Sequence, residues 1–182
     1  MGTPRQEALW VLRAQCGDRE ALESLLGSIQ VSLRRYLRSL VGPGDADDVA
    51  QEVLVLVYRK LTWLDVPSLF RPWVFRIACR TAFRHLKKAR RWLDNVTDSI
   101  ALDDLAAPES PPPAELLQRL STIDGVSPAS RAVLVLHFQE EMSLPEIAAV
   151  LAIPLGTVKS RLAYGLAALR KQLGNSRSSL HD

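Results

Sequence analysis

Residues 143–171, SLPEIAAVLAIPLGTVKSRLAYGLAALRK, constrain the fold of this chain more than any other stretch. Ser143 and Glu146 stand at capping-box spacing, and Pro145 falls in a first turn, where its missing N–H is of little consequence. Ile147, Ala148 and Leu151 give this short helix an apolar face. Ile153-Pro154-Leu155-Gly156 then interrupts it, because proline and glycine punctuate helices. A second helix follows. At about 100° per residue, Val158, Leu162, Leu166, Leu169 and Leu173 gather on one side, with Gly165 among them. Ser160, Ala163, Tyr164, Ala167 and Lys171 gather on the other, flanked by Lys159 and Arg161. Residues 157–177 carry several cations and no acid. A short helix, a tight turn and a cationic second helix predict a helix-turn-helix whose second helix enters a DNA major groove. An ordinary αα-hairpin with a solvated basic face would share the pattern.

The distribution of charge says more than the net +3 of the 182 residues. Residues 58–92 are strongly basic, with Asp65 the only acid; residues 94–115 hold only acidic charges; the end of the chain turns basic again. The alternation predicts two cationic modules separated by an anionic connector. Cys16 and Cys79 lie far apart, with no CxxC and no histidine at ligand spacing, so neither a disulfide framework nor a metal site is expected. The N-terminus lacks a basic segment followed by a long apolar run, and no apolar stretch approaches the ~20 residues of a membrane span. A soluble cytoplasmic protein without membrane insertion is the expectation.

Along the chain, residues 4–15 read as a first helix, and Asp18 caps a longer one reaching about residue 41. In the latter, Leu22, Leu25, Leu26, Ile29, Leu33, Tyr36, Leu37 and Leu40 recur at spacings of three and four and face a core. Gly42-Pro43-Gly44 stops it. Residues 45–61 make the next helix, its start crowded with Asp45, Asp47 and Asp48, which the macrodipole favours. Val49, Val53, Leu56 and Lys60 lie along its expected core side. Asp48, Gln51, Glu52, Val55 and Arg59 lie opposite, either as a solvated face or, with Val55 among polar residues, as a hint of a partner protein.

Residues 72–90 form the most informative helix of the first half. Val74, Phe75, Ala78, Ala82, Leu86 and Ala89 fall on one side; Trp73, Arg76, Arg80, Arg84 and Lys87 fall on the other, with Phe83, Lys88, Arg90 and Arg91 near by. Such a row of cations neutralises phosphates, and an aromatic face supports unpaired bases. Trp73 could equally be core and the arginines merely solubilising. With almost no acids to pair, however, these cations repel one another unless a polyanion is present. Residues 94–113, DNVTDSIALDDLAAPESPPP, read as a flexible acidic linker with a stiff end. About 20 extended residues reach ~65 Å, and two turns of DNA span ~70 Å, so two modules could touch one duplex about two turns apart. Residues 114–123 and 127–139 read as helices supporting the helix-turn-helix, and residues 175–182 as a frayed tail. The fold class is therefore all-α: two small helical domains joined by a flexible acidic linker, the C-terminal one a helix-turn-helix.

Catalysis needs convergent groups. His85, His137 and His181 sit in unrelated settings, the carboxylates lie at helix starts or in the linker, and there is no Walker loop or GxGxxG. Neither catalytic residues nor a cofactor are expected, and the chain reads as a non-enzyme.

Three stretches together resemble the extracytoplasmic-function sigma factors of bacterial RNA polymerase: GDADDVAQEVLVLVYRKL, RPWVFRIACRTAFRHLKKARR and SPASRAVLVLHFQEEMSLPEIAAVLAIPLGTVKSRLAYGLAALRKQL. The resemblance covers most of the chain in the family's order. It implies a region 2-like domain over residues 1–93, a linker over 94–113, a region 4-like helix-turn-helix domain over 114–174 and a tail over 175–182. Asp48, Gln51, Glu52 and Val55 become the contact for the clamp helices of the polymerase largest subunit, and the polymerase flap becomes a further contact. Trp73, Arg76, Arg80, Phe83, Arg84, Lys87 and Lys88 become the surface that opens the −10 element, and residues 63–71 match the neighbourhood that helps capture a flipped base. Thr157, Lys159, Ser160, Arg161, Ala163 and Tyr164 become the −35 contacts. Core polymerase, promoter DNA and an anti-sigma factor are the implied partners. Ala163 and Tyr164 stand where the family often has His or Arg, and Leu166 and Ala167 where it often has further basic residues. Arg80 and Arg84 stand where it often has Asn and Asp. Ala152 replaces a common turn glycine, a change suited to a backbone that remains helical. A stand-alone helix-turn-helix regulator or a protein-interaction adaptor are the competing expectations; the first leaves the Asp48–Arg59 face and the N-terminal basic stripe unexplained, and the acid-free basic stripes argue against the second.

Overall fold

In a computed structural model, residues 3–93 and 126–178 are described, and all their regular structure is helical. The first half comprises α1 (Pro4–Gln15), α2 (Arg19–Val41), α3 (Ala46–Lys60) and α4 (Phe70–Leu93), with two short 3-10 turns, Leu61–Trp63 and Pro67–Leu69, between α3 and α4. The second half comprises α5 (Pro128–Phe138), α6 (Leu144–Leu151) and α7 (Leu155–Ser178). Residues 94–113 and 114–123, expected as linker and helix, lie outside the described residues.

Each boundary has a local cause. Thr3 accepts a hydrogen bond from the Gln6 N–H at the start of α1, and Asp18 accepts one from the Ala21 N–H at the start of α2. That bond, together with Arg13, holds the Asp18 carboxyl below the usual carboxylate range. Gly42, at φ +88°, turns the chain out of α2 in a conformation that L side chains rarely adopt. Ser127 caps α5. The capping box of α6 is complete: the Ser143 N–H and hydroxyl both donate to Glu146 Oε2, at 2.8 and 2.6 Å, while Ser143 Oγ accepts from the Glu146 N–H. The Ser143 hydroxyl, then its N–H, lower the pKa of Glu146.

The apolar stripe of α2 does what its spacing predicts: Leu25, Ile29, Leu33, Tyr36, Leu37 and Leu40 are buried. Against it pack α1, α3 and α4. Val74, Phe75, Ala78 and Ala82 seat α4, and Tyr36 meets Phe75 edge-on with ring centroids 5.2 Å apart. Buried Val133, Leu134, Val135 and Leu136 of α5 pack with Ile147 and Val150 of α6 and Val158, Leu162, Leu166 and Leu169 of α7. Gly165 lets α7 approach α5 closely, since a Cβ there would sit 2.8 Å from Leu134 Cδ1. The halves also touch each other: α2 packs on α5 and α4 packs on α6, giving one continuous buried cluster.

Three local expectations need correction. Lys60 is exposed rather than on the core side of α3, and the buried stripe there is Ala46, Val49, Ala50, Val53 and Val57, with Leu56 half-buried. A charged side chain at the end of a helix reaches water more cheaply than the core, and the Lys60 ammonium instead stands 6.0 Å over the Trp63 ring. Leu155 and Gly156 belong to the first turn of α7, so the break between α6 and α7 is only residues 152–154. Ala152 does not stay right-handed; it closes α6 at φ 54°, ψ 47°, in the left-handed region.

Left-handed backbone costs a non-glycine residue roughly 1–2 kcal/mol, against roughly 0.5–1 kcal/mol of extra chain entropy for glycine. Ala152→Gly is therefore expected to raise unfolding free energy by about 0.5–1 kcal/mol in urea titrations, and any loss would refute the strained turn. Gly165→Val forces branched bulk onto Leu134 and is expected to lower stability by about 1–3 kcal/mol in the same titration.

Candidate nucleic-acid interface

The helix-turn-helix is present as geometry: α6 and the Leu155–Lys171 part of α7 are bent by 105° across their short break, within the range of DNA-binding helix pairs. Lys159 is exposed, and Thr157, Ser160 and Arg161 are half-buried. The Ser160 hydroxyl donates to the Gly156 carbonyl at 3.0 Å, so its own helix holds it in this state. Tyr164 is 40% exposed. Ala163, expected among the reading positions, is 3% exposed. It flanks the apolar arc of α7, and its methyl is too short to emerge past the side chains around it. The solvent face of α7 is accordingly carried by Lys159 and Tyr164, with Thr157, Ser160 and Arg161 at its margins.

On α4 the side chains divide as the helical wheel demands. Arg76, Arg80, Arg84, Lys87 and Lys88 are exposed along one face. Trp73 and Phe83 are half-buried, and Trp73 leans on Phe70 with centroids 6.4 Å apart while packing against the core. The tryptophan is thus anchored below and partly accessible above. The turn ahead of α4 presents Trp63, 72% exposed, with exposed Val66 and Leu69 near it.

Asp48, Gln51, Glu52 and Val55 are all exposed on α3 and line one open groove with Leu56 and Arg59. The acids, the amide and two aliphatic side chains therefore form a single surface. Its edge is tied to the cationic stripe, because Arg84 Nη2 donates to Glu52 Oε1. Arg80, Lys87 and Lys88 have no ion pair among the described residues.

Sequence periodicity does not reveal how the cations nearer the seam are used. Arg71 makes a bidentate pair with the buried Glu7 of α1, at 2.8–3.1 Å. That bond raises the pKa of Arg71. Arg71 Nη1 also stands 3.6 Å from Glu140 Oε2, and Arg35 Nη2 stands 3.6 Å from Glu140 Oε1. Burial pushes the Glu140 carboxyl up, with Arg35 and Arg71 drawing it partly back. Arg76 Nη2 donates to the Ala149 carbonyl of α6 at 2.9 Å. A carboxylate scarcely apolar enough to announce burial, 64 residues or more from its partner, leaves no local signal. Among the described residues no cluster of His, Cys, Asp or Glu could hold a metal. No single described helix is long and apolar enough to cross a membrane.

A helix-turn-helix with exposed Lys159 and Tyr164 thus stands with a cation-striped helix and a separate open groove on α3. Residues 25–92 match the sigma-70 region 2 family, and residues 122–171 match sigma-70, region 4. The chain is 32% identical over 164 residues to the ECF RNA polymerase sigma-E factor of Escherichia coli (strain K12), covering 84% of this chain and 86% of that one. It is 28% identical over 170 residues to the ECF RNA polymerase sigma factor SigW of Bacillus subtilis (strain 168), covering 86% and 91%. The solved structure of CnrH in complex with the cytosolic domain of CnrY superposes with a TM-score of 0.69 at 29% identity, over 93% of this chain and 98% of that one. The chain belongs to the ECF sigma factors of RNA polymerase. It is an alternative sigma factor, directing promoter-specific transcription, and sigma factors are initiation factors rather than enzymes.

Arg84 and Glu52 are both more than half exposed, and such pairs contribute little to folding. Glu52→Gln is expected to change unfolding free energy by less than about 0.5 kcal/mol, measured by urea titration; a larger loss would make the pair a structural element rather than an accessible one.

Proposed function

We propose that the two faces of the first half divide the work of initiation. The α3 groove of Asp48, Gln51, Glu52 and Val55 docks on the clamp helices of the polymerase largest subunit. The α4 face of Trp73, Arg76, Arg80, Phe83, Arg84, Lys87 and Lys88 takes the −10 element and holds its displaced strand. The cations neutralise backbone phosphates, and Trp73, Phe83 and Trp63 offer ring faces to unstacked bases. In the second half, Lys159, Ser160 and Tyr164 contact the −35 duplex from the solvent side of α7, with Thr157 and Arg161 as flanking contacts and the polymerase flap as the domain's protein partner. The boundaries that serve this division are residues 1–93, 94–113, 114–174 and 175–182. The protein catalyses nothing itself, needs no cofactor and works in the cytoplasm. An anti-sigma factor is its regulator, by analogy with CnrH, which was solved bound to the cytosolic domain of CnrY.

The observation that carries this division is the open α3 groove, in which an exposed Val55 lies among Asp48, Gln51 and Glu52 beside the cationic face of α4. A regulator acting on duplex DNA alone has no use for such a surface.

Co-purification of the tagged protein with core RNA polymerase, followed by run-off transcription from genomic fragments, tests the proposal. Stable binding and new start sites are expected. Lys159→Ala with Ser160→Ala is expected to weaken −35-dependent transcription with core binding intact, and Gln51→Lys with Glu52→Lys to weaken core binding while sparing the second domain's duplex contact. Equal loss of one activity by both doublets would overturn the division, and duplex binding without core binding would indicate a stand-alone regulator.

A further inference from the structure

Glu52 is a member of one proposed interface and the partner of a member of the other. It lines the α3 groove with Asp48, Gln51 and Val55, and its Oε1 accepts from Nη2 of Arg84 on the cationic face of α4. Arg84 stands midway along that face. Arg80 and Lys88 lie one turn to either side of it and Lys87 three residues on, all exposed, so it sits among like charges. A carboxylate at this point lowers the positive potential of the stripe most strongly at its middle. The Arg84 and Glu52 side chains are 63% and 52% exposed, and neither belongs to the buried core cluster. An external ion can therefore take either partner without disturbing the packing beneath.

We propose that Glu52 restrains the −10 face in the free protein: it occupies Arg84, lowers the affinity of α4 for nucleic acid, and gives Arg84 up when a cation of the polymerase clamp takes the carboxylate in the groove. The identity of the two partners rests on the proposed function, whereas the hold of Glu52 on Arg84 is tested without polymerase. Each ligand arriving alone must break the pair, and the second to arrive finds it already broken. Docking on polymerase and capture of a DNA strand thus favour one another by the same factor. An exposed ion pair sets that factor at about two- to fivefold.

The test uses the full chain, with a fluorescent, mixed-sequence single-stranded DNA as the probe, titrated by anisotropy at one fixed salt concentration. Glu52→Gln is expected to tighten binding about two- to fivefold, and Glu52→Ala to match it. Arg84→Gln is expected to change binding by the free protein little, because that guanidinium is already occupied. Combined with Glu52→Gln, it is expected to remove most of the gain. Weaker binding by both Glu52 variants would overturn the proposal and make Glu52 a support that aims Arg84 at DNA. An equal gain with and without Arg84 would also overturn it, since the carboxylate would then act only by repelling phosphate.

Release by docking is read on core polymerase, as binding of the labelled factor with and without saturating probe DNA. The parent is expected to bind core more tightly with DNA present, and Arg84→Gln to reduce that enhancement about two- to fivefold. An undiminished enhancement would overturn release by docking. A gain from Glu52→Gln in the free protein, with no effect of Arg80→Gln, Arg84→Gln or Lys87→Gln on DNA binding in the presence of core, would leave the restraint standing and defeat the −10 assignment of α4.

Discussion

The guanidinium of Arg71 is held by Glu7 on one side and faces Glu140 on the other, and the placement of both halves depends on this geometry. Glu7 is buried in the first turn of α1, where an unpaired carboxylate would be costly. The bidentate bond to Arg71 answers that cost and pins α1 to the start of α4. It also fixes the guanidinium at the edge of the first half, so that a second carboxylate can approach it. Charge placed for the fold of one half thereby becomes the docking point for the other.

The same economy governs the cations along α4. A helix carrying Arg76, Arg80, Arg84, Lys87 and Lys88 along one face is repelled by itself in the absence of a polyanion. Arg76 is occupied by a backbone carbonyl and Arg84 by an exposed carboxylate. Neither partner is strong. An exposed ion pair is typically worth about 0.2–1 kcal/mol, small beside what several phosphates offer through counterion release. The stripe is thus quietened without being neutralised. Because Glu52 lines the α3 groove, its pair with Arg84 links that groove to the cationic face of α4 through a single ion pair.

What could be read from the chain alone follows from how local each feature is. The stripe of α2, the capping box of α6, the division of α4 into apolar and cationic faces and the surface of α3 all depend on residues within one or two turns, and the structure has them where the spacing places them. Lys60 and Ala163 failed for a reason also local: a wheel assigns an angle to a residue, but side-chain length decides whether it reaches water. At Ala152 residue identity points to right-handed backbone, whereas the sharp turn between α6 and α7 requires a left-handed residue whatever stands there. Glu7, Arg35, Arg71 and Glu140 cannot be paired from the sequence, because each is an ordinary surface charge on a helix or, for Glu140, just past one, until the tertiary fold brings it to a seam.

That seam explains a choice that stability alone would not favour. Placing an ion in the protein interior costs several kcal/mol even after relaxation, and contacts of 3.6 Å return less than close hydrogen bonds would. The net upward pull on the Glu140 carboxyl shows that burial outweighs its two arginines. An aliphatic residue in its place would close the halves more tightly. A buried carboxylate instead makes the contact of the halves conditional on where two cations stand.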